Sequence, residues 1–172
     1  MQNEVSNKKH MEASILMQKL FEYNWIVRRE WYEWCKEVEE DDLLLRRTGG
    51  VGGILHTLFH IVDVEWSWIQ LMEGKPDFQE NFASYNTLEK IKELDGRFHG
   101  QVEDFVHNWK EDMENNIVHS VLANGDSEKH TWGEIMRHII AHEIHHIGQL
   151  SVWSRELGRK PISANLIGRG LG

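Results

Sequence analysis

The segment Thr131–Leu150 reads T-W-G-E-I-M-R-H-I-I-A-H-E-I-H-H-I-G-Q-L and contains a helix start followed by a cluster of histidines. The hydroxyl of Thr131 can accept a hydrogen bond at a helix N-terminus, and Glu134 stands three residues later, as in a capping box. Apolar residues then recur every three or four positions as far as Leu157, and Gly158 follows as a helix-ending residue. The pattern predicts one long amphipathic helix that ends at Leu157.

Two pairs of histidines on this helix have the spacing of a shared metal site. Residues four apart on an α-helix differ in direction by about 40°, so His138 and His142 form one pair and His142 and His146 form the other. The apolar residues of the helix point closer to His142 and His146, while His138 and His145 fall toward the edge of the apolar face. These apolar residues are Ile135, Ile139, Leu150, Trp153 and Leu157. We therefore predict that His142 and His146 point inward and serve as metal ligands.

The rest of the chain predicts three further helices by the same periodicity. They span Met11 to about Glu37, Ile54–Glu73, and residues 87 to about 113. The first two are separated by the acidic run Glu37–Asp42 and by four glycines within Gly49–Gly53. Lys75–Asn86 lacks periodicity and predicts a crossover loop, while Asn124-Gly125 favours a small hairpin within Ile117–Thr131. The predicted fold is all-α, a four-helix bundle forming a single domain over residues 1–172.

A third ligand must come from another helix, because two imidazoles alone make a weak site. The second predicted helix offers His56 and His60, four residues apart on a polar strip that also holds Asp63 and Ser67. Periodicity does not choose between the two histidines. Neutral imidazole nitrogen suits zinc, nickel, cobalt and ferrous iron, and three protein ligands leave a position open for water or substrate.

Two polar residues near the histidine pair are predicted to support it. Gln149 lies within about 20° of His142 around the helix, and Glu143 projects onto an otherwise apolar sector. Either side chain could accept a hydrogen bond from the second ring nitrogen of a ligand histidine. For Glu143, the alternative of a solvated carboxylate at the edge of the helices stays open. Cys35 has no identifiable activating neighbour and is not predicted to be a nucleophile.

Charge and composition argue against several classes of function. The net charge is −9 over 172 residues, which disfavours binding to nucleic acid. No stretch approaches the roughly 18 apolar residues that a membrane span requires, and Met1–His10 lacks the apolar run of a secretion signal. Cys35 is the only cysteine, so no internal disulfide can form. We therefore expect a cytoplasmic protein without nucleic-acid or membrane partners.

Three segments of the chain resemble the DinB family of metal-binding helical proteins, also described as DinB/YfiT-like. They are G-G-I-L-H-T-L-F-H-I-V-D-V-E-W-S-W-I (residues 52–69), the segment Thr131–Leu150 quoted above, and P-I-S-A-N-L-I-G-R-G-L (residues 161–171). The resemblance implies that the single histidine of the second helix is His60, and that His142 and His146 complete the metal site. It also implies an up-down-down-up order of the four helices and a homodimer.

The resemblance implies several functions. DinB-like proteins include thiol S-transferases and a maleylpyruvate isomerase that use small thiols, alongside members without a known reaction. We therefore expect a divalent metal ion, zinc or nickel before iron, cobalt or manganese, and a small-molecule thiol such as bacillithiol that reacts with an electrophile. The alternatives are a metal-dependent hydrolase and a non-catalytic metal-binding protein of the stress response.

Overall fold

The computed structural model describes residues 2–78, 81–121 and 125–171, with side chains from residue 14 onward. Within these residues the chain is mostly helical, with five α-helices and one two-stranded sheet. The helices are α1 (Gln2–Cys35), α2 (Glu40–Leu44), α3 (Ile54–Glu73), α4 (Leu88–His107) and α5 (Trp132–Glu156). The strands are β1 (Ile117–Val121) and β2 (Ser127–Thr131), and two short 3-10 turns lie at Phe82–Tyr85 and Glu111–Met113.

Helix α5 begins with the predicted capping box. The hydroxyl of Thr131 accepts a hydrogen bond from the backbone N–H of Glu134 at 3.2 Å. In return, the backbone N–H of Thr131 donates to the Glu134 carboxylate at 2.9 Å. At the other end, Leu157 caps the helix and Gly158 adopts a left-handed backbone with φ of 69°. Both predicted ends of this helix are therefore confirmed. Its histidines face the directions that their spacing predicts, with His142 and His146 more buried than His138 and His145.

Two helix boundaries differ from the prediction, and one additional short helix is present. Helix α1 begins at Gln2 rather than Met11, because residues 2–10 carry no apolar stripe for periodicity to detect. The acidic run contains a short helix, α2, in which three carboxylates of the first turn suit the helix dipole and Leu43 is buried. Helix α4 ends at His107 rather than near Met113, because the side-chain amide of Asn108 donates to the Asp104 carbonyl at 2.8 Å and caps the last turn.

The predicted hairpin is present between α4 and α5. Strands β1 and β2 pair antiparallel, with Ile117 opposite Thr131 and Val121 opposite Ser127. Gly125 has φ of 89°, a backbone conformation that favours glycine in a tight turn. Asn124, the other half of the predicted turn, lies outside the described residues. The hairpin leads directly into α5, so the cap residue Thr131 is also the last residue of a strand.

The four long helices enclose a shared apolar interior. Helix α3 contacts both α4 and α5, and helix α1 also contacts both of them. Helix α3 is the most deeply placed, with buried residues over most of its surface. Fully buried side chains at the centre include Phe21, Trp31, Ile54, Leu55, Leu58, Ile69, Ile91, Leu94, Met136 and Ile139. Because α3 lies against α5, the histidines of these two helices come within reach of one another.

Among the described residues, no helix combines the length and the hydrophobicity that a membrane crossing requires. The apolar surface of α3 is covered by its neighbours α4 and α5. Its hydrophobicity is that of a core helix.

One buried cation connects the four long helices. The guanidinium of Arg28 on α1 is 1% exposed and forms ion pairs with Glu65 of α3 at 2.9 Å, Asp95 of α4 at 3.0 Å and Glu143 of α5 at 2.6 Å. The indole N–H of Trp25 donates a further bond of 3.0 Å to Glu65. Removing a charge from water costs several kcal/mol unless partners and hydrogen bonds compensate, which this arrangement supplies. The network therefore specifies how the four helices align.

We predict that Arg28→Met lowers the free energy of unfolding by about 3–5 kcal/mol, because three carboxylates lose their buried counterion. Urea denaturation followed by circular dichroism measures the change. Arg29→Met is the matched control, since Arg29 is exposed and should change stability by no more than about 0.5 kcal/mol. Equal stabilities of the two variants would show that the network does not hold the helices together.

Candidate metal centre

Three histidines from two adjacent helices converge at one point. His60 lies in the first half of α3, and His142 and His146 lie one turn apart on α5. His60 and His142 are half-buried, and His146 is buried with 5% exposure. The structure thus brings together the three residues that sequence and resemblance selected.

The ring nitrogens of these histidines have the spacing of ligands around one cation. The Nε2 atoms of His60 and His142 are 3.1 Å apart, and the Nε2 atoms of His142 and His146 are also 3.1 Å apart. One nitrogen from each residue lies within 4.8 Å of the other two. On a tetrahedral cation with bonds of about 2.0–2.1 Å, two nitrogen ligands lie about 3.3 Å apart. The three side chains therefore form a group that could hold a metal ion.

Gln149 sets the tautomer that a metal requires at His146. The Nδ1–H of His146 donates to the amide oxygen of Gln149 at 2.8 Å, while the amide N–H of Gln149 donates to Nε2 of His145 at 3.0 Å. With its proton on Nδ1, His146 keeps the lone pair of Nε2 directed at His60 and His142. The predicted supporting role of Gln149 is consistent with this geometry.

Hydrogen bonds among the three rings cannot satisfy all of the imidazole nitrogens that face one another. Nε2 of His142 faces an imidazole nitrogen on each side, but a single Nε2 carries either one proton or one lone pair. A neutral ring can therefore serve only one of its two neighbours well. A cation placed between the rings accepts a lone pair from all three, so the donor set fits a metal ion.

The environment keeps the histidines neutral. Burial, together with the neighbouring His146, lowers the pKa of His60 to about 4 and that of His142 to about 3. Burial also lowers the pKa of His146, although its bond to Gln149 opposes the shift. An imidazole that holds no proton at neutral pH has its lone pair free for a metal. The electrostatics of the site therefore favour the neutral imidazole, which is the form that binds a metal.

The other histidines that the sequence offered lie outside this group. His56 stacks on Phe82, with ring centroids 4.4 Å apart and planes 9° apart. His138 and His145 are exposed on α5. Their rings lie beside those of His142 and His146, with centroids 5.7 and 5.2 Å apart, but they do not belong to the group with ligand spacing. Among the described residues, His60, His142 and His146 form the one group of at least three histidine, cysteine or acidic side chains with metal-ligand spacing. The alternatives left open by helical periodicity are thus separated by the packing of α3 on α5.

Comparisons with known proteins identify the family of this chain. A model of the DinB family matches residues 1–169. The chain belongs to the DinB family. A relative from Bacillus subtilis strain 168, the uncharacterized protein YizA, is 48% identical over 155 residues, which cover 90% of this chain and 96% of that protein.

Glu143 has neither of the two roles considered from the sequence of this DinB protein. It is 1% exposed and pairs with Arg28 through two hydrogen bonds of 2.9 and 2.6 Å. Burial raises the pKa of Glu143 to about 7, while Arg28 acts in the opposite direction. The carboxylate therefore belongs to the network that aligns the helices. Periodicity placed it on an apolar sector but could not reveal an arginine 115 residues away in sequence.

Asp63 and Gly50 carry only weak sequence signals, and Cys35 lies outside the candidate centre. Asp63, on the same strip as His60, has its pKa raised to about 6 by burial and by the nearby Asp77. Gly50 has φ of 51°, and a Cβ at this position would overlap the amide of Gln149. Cys35 is buried, which raises its thiol pKa to about 12 and agrees with the expectation that it is no nucleophile. A polar strip on α3 was the only available signal for Asp63, and none pointed to the contact of Gly50.

We predict that His60 and His142 destabilise the metal-free protein as pH is lowered from about 7 to about 4. In the unfolded chain the histidines protonate near pH 6.5, whereas His60 and His142 in the folded chain stay neutral to about pH 4 and about pH 3. In this window the two histidines bind more protons in the unfolded state, so their contribution favours unfolding as pH falls. The raised pKa values of Asp63 and Glu143 act in the opposite direction, and the comparison with a histidine variant separates the two effects. His142→Gln should reduce the loss by on the order of 1 kcal/mol, allowing for solvent screening of a half-exposed ring. Urea denaturation in EDTA at several pH values measures the free energy of unfolding of the wild type and of His142→Gln. Parallel pH profiles for the two proteins would contradict the prediction.

We predict that Gln149→Leu weakens metal binding by about 10–100-fold, because His146 loses the acceptor that fixes its tautomer and ring orientation. Competition with a chromophoric chelator measures the affinity. Gln149→Glu is the matched control, since it keeps an acceptor oxygen of the same reach and should bind metal more tightly than the leucine variant. Unchanged affinity in Gln149→Leu would show that Gln149 does not support the centre.

Proposed function

We propose that this DinB protein is a metal-dependent enzyme that binds a divalent cation through His60, His142 and His146 and transfers a small thiol to electrophiles. The observation that carries the proposal is the convergence of three neutral Nε2 atoms without a fourth protein ligand in the described group. Structural zinc sites are normally closed by four protein ligands, whereas catalytic sites keep a position open. A centre with three protein ligands therefore favours a catalytic role over a structural one.

A divalent cation in this position would lower the pKa of a thiol bound in its open position and so supply a thiolate near neutral pH. The protein residues provide orientation. Gln149 holds the His146 ring through a hydrogen bond. The ion pair between Arg28 and Glu143 fixes the turn of α5 that carries His142 and His146. The thiol can be bacillithiol or a related small thiol, and the acceptor a small electrophile.

The donor set also bears on the metal and on the wider architecture. Three imidazoles suit zinc or nickel, with iron, cobalt or manganese as further candidates. We also propose that the four long helices form an up-down-down-up four-helix bundle and that residues 1–172 make a single domain. The mutual contacts of α1 and α3 with α4 and α5 support such a bundle. The proposal includes a cytoplasmic homodimer without nucleic-acid partners, in keeping with the net charge of −9.

Asp63 favours a second candidate, a metal-dependent hydrolase. This carboxylate lies three residues beyond His60 on α3 and has no cationic partner among the described residues. With a pKa of about 6 it is ionised at neutral pH, and that value suits a general base for water. Hydrolysis would need such a base, whereas attack by a thiolate would not.

We predict that untagged wild-type protein contains about one divalent metal ion per chain and that His60→Ala contains far less, as measured by ICP-MS. With metal restored, the wild type should consume monochlorobimane and a small thiol faster than His60→Ala by more than about tenfold. His138→Ala is the matched control, because His138 is exposed on α5 and belongs to no ligand group. Equal rates for wild type and His60→Ala would refute thiol transfer.

The same samples separate the competing functions. Ester hydrolysis that requires metal and falls in Asp63→Asn, without thiol consumption, would establish the hydrolase instead. Metal bound without either reaction would identify a non-catalytic metal-binding protein, as some stress-response proteins are. Wild-type metal content near zero, unchanged in His142→Ala, would refute the metal centre itself.

A further inference from the structure

A small cavity opens where helix α3 begins, on the helix that also carries the candidate ligand His60. We propose that it binds a carboxylate of the thiol substrate and that Arg46 recognises this carboxylate, an inference that rests on the proposed thiol transfer. The cavity has a volume of about 380 Å³. Its walls come from α2, from the glycine-containing loop that follows it, from the first turn of α3 and from the 3-10 turn at Phe82–Tyr85.

The cavity and the metal centre share a helix face and a loop. His56 lines the cavity and stands one turn before His60 on α3, a displacement of about 6 Å along the helix axis. The ring of His56 is hydrogen-bonded to the backbone of Val51, another wall residue. The preceding residue, Gly50, lies against the amide of Gln149, which holds His146. The first turns of α3 and the loop at Gly50 thus join the wall of the cavity to the residues of the histidine group.

The cavity carries positive charge in an otherwise acidic protein. Arg46 is exposed at its wall and forms no ion pair with any described residue, whereas the adjacent Arg47 pairs with Glu156 at 3.0 Å. The lining includes no acidic side chain. The N-terminus of α3 adds partial positive charge, because Gly53 offers no side chain to cap it. With a net charge of −9 on the chain, a free guanidinium here favours an anionic ligand.

The remaining walls suit an aliphatic chain. Leu43 is 4% exposed and contributes an apolar surface, and Val51 lies beside it in the lining. Phe82 and His56 present a stacked pair of rings. A ligand that satisfies all these features has a sulfur at one end, an apolar link, and a carboxylate at the other end. The substrate class is therefore a carboxylate-bearing small thiol.

A matched pair of thiols tests the proposal by binding. Mercaptohexanoate and mercaptohexanol differ in the carboxylate but share the thiol and the alkyl chain. Each is titrated into untagged protein loaded with Co²⁺, and the sulfur-to-cobalt charge-transfer absorption gives the dissociation constant. We expect the wild type to bind the acid about fivefold more tightly than the alcohol, the scale of one favourable charge pair near a surface.

Two variants assign the preference to Arg46. Arg46→Gln should bring the ratio of the two dissociation constants to about one, and Arg46→Lys should restore part of the preference because it keeps the charge. Arg29→Gln is the matched control: it removes the same charge from an exposed site on α1 and should keep the wild-type ratio.

The outcomes distinguish the two proposals. If both thiols give the absorption band with equal dissociation constants, the carboxylate site is refuted while thiol binding at the metal stands. If Arg29→Gln abolishes the preference as fully as Arg46→Gln does, the effect comes from net charge and the assignment to the cavity is refuted. If neither thiol gives a band on cobalt-loaded protein, thiol transfer fails and the carboxylate site fails with it.

Discussion

The ion pairs of Arg28 are the interaction on which the rest of the structure depends. The guanidinium lies at the centre of the protein and bonds to one carboxylate on each of the three other long helices. A charge in this position is tolerated only when its partners are held in place, so the network penalises any other alignment of the helices. Glu143 takes part from between His142 and His146, and Glu65 takes part from the helix that carries His60. The contacts that align α3 with α5 thereby also align the three histidines of the candidate metal centre.

The same lack of water explains two opposite shifts in pKa. Burial raises the pKa of Glu143 and lowers the pKa of His60 and His142, because in each case the uncharged form is easier to bury. For the carboxylate the shift is opposed by Arg28. For the histidines it removes the proton that would compete with a metal. Core packing and ligand chemistry therefore have a common physical origin in this protein.

The loop after α2 connects the centre to its surroundings. Gly50 approaches the Gln149 amide so closely that a larger residue would displace it. The indole N–H of Trp153 donates to the Thr48 carbonyl at 3.3 Å and ties the same loop to α5. This loop thus contributes both to the support of His146 and to the wall of the cavity that contains Arg46.

The sequence by itself determined the predominance of helices, the capped start of α5, the hairpin before it and the shared face of His142 and His146. These features depend on neighbours within a few residues, and local spacing records them. Helical periodicity left His56 and His60 open, the family resemblance selected His60, and the packing of α3 on α5 places it beside His142 and His146. The tertiary structure alone showed the pairing of Glu143 with Arg28, the helix in the acidic run and the approach of Gly50 to Gln149. Each of these depends on which surfaces of different elements meet, and the periodicity of one helix carries no information about the helix packed against it.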